Sequence, residues 1–111
     1  MAREIRLSAI ERFEFCNPEE GIKEGDILTY PVSNYEVIPP RQLVISRDSD
    51  KVVTVGRLYR SDELIQMTYQ LEKTSQATFL DHKSRFFITK SDPEKYAASM
   101  EILKRAGCAE N

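Results

Sequence analysis

Two β-favouring runs, residues 42–46 and 51–60, flank the polar stretch Arg47-Asp48-Ser49-Asp50, and no other pattern constrains the chain as strongly. Runs rich in Val, Ile, Thr and Tyr that are separated by a short Asp/Ser segment read as the two arms of a β-hairpin. Gly56 interrupts the second arm, and a glycine inside a strand predicts a bulge that bends the sheet. A bent hairpin at the middle of 111 residues leaves room for one core, so residues 1–111 are expected to form a single domain.

The flanking segments extend this sheet. Residues 3–16 carry apolar side chains at Ile5, Leu7, Ala9 or Ile10, Phe13 and Phe15, which predicts two short strands or one bulged strand, with a helix over 5–13 as the alternative. Asn17-Pro18 breaks the chain, and the polar residues up to Asp26 form a loop with turn positions at Gly21 and Gly25. A strand over 27–30 follows and stops at Pro31. Residues 32–40 read as a connecting arm, in which Pro39-Pro40 favours extended backbone.

After the hairpin, Ser61-Asp62-Glu63 resembles a helix start, and Leu64, Ile65, Thr68 and Leu71 share one helical face. This predicts a short helix over 62–73; the alternation of Ile65, Met67 and Tyr69 supplies a competing strand reading. Residues 77–82 and 85–90 predict a second hairpin across 81–84. Ser91-Asp92-Pro93-Glu94 opens a final helix, which runs from about 92 to 106 and ends in Lys104 and Arg105 before Gly107. Tyr96, Met100 and Leu103 give it a stripe to bury. The expected fold is α+β: a small bent antiparallel sheet or partly open, SH3-like barrel with one short helix and a C-terminal helix.

Composition narrows the functional classes. The net charge of −2, from 16 Lys+Arg against 18 Asp+Glu, argues against a surface built throughout to hold duplex nucleic acid or anionic lipid. No apolar run exceeds three residues, whereas a spanning helix needs about 20. Charges at Arg3, Glu4 and Arg6 leave no apolar signal segment after the start, so a cytoplasmic location and no membrane partner are expected. Cys16 and Cys108 lie far apart without the close spacings of zinc or dithiol sites, and read as separate thiols, with a disulfide joining the termini as the alternative.

Catalytic signatures are sparse. His82 is the one histidine and falls, beside Asp81, in the predicted turn. Glu19, Glu20, Glu24 and Asp26 lack the spacing of a calcium loop, and the four glycines form no phosphate-binding run. No catalytic residue, metal or cofactor is therefore expected.

Charge distribution says more. Residues 1–40 hold four basic and eight acidic side chains, whereas residues 41–90 hold nine basic and six acidic. A shift of alternation at Gly56 would point Arg57 and Tyr59 outwards together, and Arg85 and Phe87 share one face of the last strand. Arg57, Tyr59 and Arg85 are the candidate binding residues, although Tyr59 and Phe87 also fit a core covered by the final helix. The leading expectation is a non-catalytic binding or regulatory module that recognises another protein through an exposed sheet face. The alternative is a small RNA- or single-stranded-DNA-binding barrel, and third comes an enzyme such as a ribonuclease using His82. The oligomeric state is left open.

Overall fold

Adjacent apolar pairs shape this sheet, because neighbouring residues of a strand point to opposite faces. The computed structural model describes residues 3–8, 12–15, 21–29, 38–58 and 61–108. Among these, seven strands are β1 (Glu4–Arg6), β2 (Arg12–Glu14), β3 (Ile27–Thr29), β4 (Arg41–Arg47), β5 (Lys51–Arg57), β6 (Leu64–Lys73) and β7 (Thr78–Ile88). A helix, α1 (Pro93–Arg105), follows. The strands form one sheet in the order β1-β3-β4-β5-β6-β7-β2, antiparallel except where β1 lies parallel to β3. Leu7 bridges Phe15, so the sheet curls until its outer strands meet at one point, as a half-barrel.

Ile27-Leu28, Leu43-Val44 and Leu64-Ile65 are each buried on both faces. Leu28, Val44 and Ile65 join Phe13, Met67, Tyr69 and Leu80 inside the curl. Ile27, Leu43 and Leu64 join Val55 and Ile88 on the outer face, where Leu103 and Cys108 cover them. α1 therefore packs on the convex side. Leu103 is fully buried while Tyr96 and Met100 are half-buried at the margin of the same cluster, so the expected stripe docks through its last member most deeply. Asp92 caps the helix by accepting from the Lys95 amide at 3.3 Å, and Pro93 occupies its first turn. Gly107, at φ 76°, ends it, with Cys108 N–H donating to the Leu103 carbonyl at 2.8 Å and Gly107 N–H to that of Lys104 at 3.1 Å.

Three expectations are corrected. Residues 62–73 are not helical: β6 runs through Leu64–Lys73, and Leu64, Ile65, Thr68 and Leu71 mimic a helical stripe because both faces of the strand are covered. Residues 77–90 are not a second hairpin: β7 continues through 81–84, and the break in its alternation is a register shift at Thr68/Tyr69, where Lys83 is the extra residue. Gly56 is not a bulge, since the register passes through it unshifted from Gln42 to Ile65; the other shift falls between Val44 and Ser46. Gly56 is needed for close approach instead: a Cβ there would lie 2.6 Å from the Arg41 carbonyl and 2.6 Å from Pro39 Cγ. The first hairpin, two short strands within the described part of 3–16, the strand at 27–29 and the final helix are as expected.

Candidate functional site: the outer half of the last strand

β7 is longer than the strand that flanks it. β2 pairs with Phe79, Leu80 and Asp81 and ends there, and among the described residues no strand lies along the same edge from His82 to Ile88. On its other side β7 pairs with β6 along its whole length, so the outer half is held extended while its second edge is open among the described residues.

Register places the side chains of this half. The row Leu28, Gln42, Gly56, Ile65 and Phe87 lines the inside of the curl, and the row Ile27, Leu43, Val55, Gln66 and Phe86 lines the helix side. Phe86 and Phe87 end these rows and are 43% and 48% exposed, the two large exposed hydrophobic residues among those described. Lys95 of α1 lies over the Phe86 ring, 4.3 Å from its centroid. Arg85 pairs with Met67 and so stands on the Phe87 face. Lys83 forms an ion pair with Asp81 at 3.2 Å. Between Asp81 and Asp92 the chain carries no acidic residue, so the open half is basic as well as aromatic.

Of the candidate residues from the sequence, Arg85 and Phe87 come together on one face. Arg57 does not join them: it pairs with Leu64, a helix-side residue, and lies on the opposite face of the sheet. Its Nε donates to the Ser61 carbonyl at 3.1 Å and its guanidinium faces Asp62 at 3.8 Å. The outward shift anticipated at Gly56 is what would have turned it, and that shift is absent. Tyr59 lies outside the described residues. Phe87, which also fitted a core position beneath the helix, is half exposed on the face away from it. Phe86 was not singled out from the sequence; the signal was the adjacent pair Phe86-Phe87, of the same kind as Leu64-Ile65.

His82 sits within β7, not in a turn, and its ring meets the edge of Tyr69 with centroids 6.3 Å apart. Partial burial, reinforced by the Arg85 charge and opposed by Asp81, lowers its pKa from the ordinary value. Behind it is a buried polar cluster. The Thr54 hydroxyl and the Tyr69 hydroxyl each donate to Gln42 Oε1 at 2.7 Å, and Gln42 Nε2 donates to the Pro39 carbonyl at 3.3 Å. Burial drives the Tyr69 pKa far above the usual tyrosine range, and its hydrogen bonds to Gln42 and Thr54 offset only part of this. This cluster ties β4, β5 and β6 together and faces the core.

An open depression of about 660 Å³ lies at the C-terminal end of α1 between Glu4, Arg41, Lys104 and Arg105. Arg41 spans it, donating to Glu4 at 2.6 Å and to the Gly107 carbonyl at 2.8 Å, so its charge serves to fasten the helix end to β1. Among the described residues no group of three or more His, Cys, Asp or Glu could hold a metal ion, and no helix is long and apolar enough to cross a membrane. Comparison of the chain with protein families, with characterised proteins and with solved structures finds no match.

Proposed function

We propose that this chain is a non-catalytic binding module that recognises another protein through the outer half of β7. The observation that carries the reading is the exposure of Phe86 and Phe87 on two faces of a strand whose second edge is open among the described residues. Large exposed aromatics beside arginine are the residue types that anchor protein interfaces, and their burial on binding supplies most of the affinity. Arg85 and Phe87 would form the centre of the contact, with Phe86 and Lys95 on its helix side; Arg57 is left to hold the β5–β6 turn.

The test is partner capture from a cell extract by the wild-type chain and by an Arg85→Ala/Phe87→Ala variant with an unchanged thermal transition. Loss of one captured protein in the variant supports the reading, and equal capture overturns it. The basic and aromatic character also fits single-stranded nucleic acid, and salt separates the two: affinity for RNA falls steeply between 50 and 200 mM salt, about in proportion to the phosphates neutralised.

A further inference from the structure

From the edge of β7 we infer a mode of recognition and a ligand chemistry: strand addition, in which an extended segment of a partner protein, with acidic and apolar residues on each of its two faces, pairs along Ser84–Ile88. The inference rests on the binding reading above and specifies it. An open strand edge offers a row of N–H and C=O groups that an extended peptide can match bond for bond, with side chains on alternate positions supplying selectivity. β6 already fixes this half of β7 in extended geometry, so a ligand need order only itself.

Side chains around the edge select the peptide. An added strand would place alternate residues on the inner face beside Arg85 and Phe87, and the others on the helix side beside Phe86 and Lys95. Each face thus offers one aromatic and one cation. With no acidic residue between Asp81 and Asp92, glutamate or aspartate on the ligand meets complementary charge and valine or leucine meets a ring.

The same charges disfavour a second copy of this chain as the occupant. Two-fold pairing of the edge with itself gathers two copies of Lys83 and Arg85 within a few residues, with Asp81, which already pairs with Lys83, as the one carboxylate of each copy near them in the strand, and like charges across strands are destabilising. Lys83 also sits at the bulge that begins the open half. A lysine and a bulge are devices by which edge strands discourage pairing with their own kind.

The probe is a fluorescein-labelled nine-residue peptide in which pairs of glutamates alternate with pairs of valines, so that each face of the extended peptide carries both, titrated into the full chain and followed by anisotropy. Two versions carry backbone N-methyl groups, one on every second residue and one on every residue, so charge and side chains are kept while N–H groups are removed from one edge or from both. Strand addition uses one edge of the peptide. The fully methylated version should therefore lose about tenfold or more in affinity and the half-methylated one, which keeps one edge, less than about threefold. Equal affinities for all three peptides, or equal losses in both methylated ones, overturn the inference.

Lys83→Glu/Arg85→Glu should exchange the preference from the glutamate peptide to its lysine counterpart. An unchanged preference also overturns it. A chain that binds none of these peptides but still loses its captured partner in the Arg85→Ala/Phe87→Ala variant refutes strand addition and leaves the binding face in place. A chain whose capture is unaffected refutes both.

Discussion

From Thr78 to Asp81, β7 runs between β6 and β2; from His82 to Phe87 it keeps β6 but has no β2 beside it, and every residue is exposed. Leu80 in the first half is fully buried, whereas the larger Phe87 in the second is about half exposed. Residue type does not decide this difference, since both are apolar and both stand on the inner face. The neighbouring strand decides it. Where β2 closes the curl, side chains on β7 become core, and where β2 stops, the same face of the same strand becomes surface.

Stability should divide along the same line. Leu80→Ala should cost about 2–5 kcal/mol in urea denaturation, as a cavity in a full core does. Phe87→Ala should stay within about 0.5 kcal/mol of wild type, as at surface sites. Equal losses would mean that the outer half is core, and the comparison would fail.

A smaller effect sits where the halves meet. Tyr69 lies opposite His82 at the bulge, and Tyr69→Phe should cost on the order of 1 kcal/mol at neutral pH through loss of its hydrogen bond to Gln42. Because the folded state holds the Tyr69 proton more tightly than the unfolded chain, its contribution is complete below the unfolded pKa of about 10 and is lost as pH rises beyond it. Wild type should therefore lose more stability between pH 9 and 11 than the Phe variant, in parallel urea titrations. An identical decline would show that Tyr69 ionises as freely folded as unfolded.

The smallest effect is a titration. His82 should titrate by NMR below the usual histidine value of about 6.5, and Arg85→Gln should raise its midpoint part of the way back. Recovery is partial because burial, the larger cause, persists. An unmoved midpoint would place the Arg85 charge away from the boundary between the halves.

How much of this could be read from residues alone depended on whether one face or two were covered. The hairpin around 47–50 was legible because its turn is polar, and α1 because Asp92, Pro93 and Gly107 mark its ends. β6 reads as a helix in sequence because Leu64 and Ile65 face two separate cores, and neighbouring apolar residues break the alternation by which half-buried strands are recognised. β7 reads as two arms because the extra residue at Lys83 resets its alternation, and a bulge and a turn leave the same trace in sequence. The pairing of Arg85 with Phe87 survived since both lie beyond that bulge. The grouping with Arg57 did not, because it depended on a shift at Gly56 where the register is continuous.

Closure of the curl by residues 3–15 has a consequence for the order in which the chain can fold. β4 to β7 follow one another through short turns, and each strand pairs with its sequence neighbour. β1 and β2 leave that succession: Leu7 N–H donates to the Thr29 carbonyl at 2.6 Å, Phe15 N–H to that of Thr78 at 3.1 Å, and Arg12 meets Glu72 sixty positions away. The entropy of closing so long a loop must be offset by contacts that exist only once the meander has formed, so β1 and β2, although they precede the meander in the chain, are expected to be among the last elements to find their places. Until then the inner face of Leu80 is as bare as that of Phe87. The clasp that arrives late turns one half of the strand into core and leaves the other half exposed.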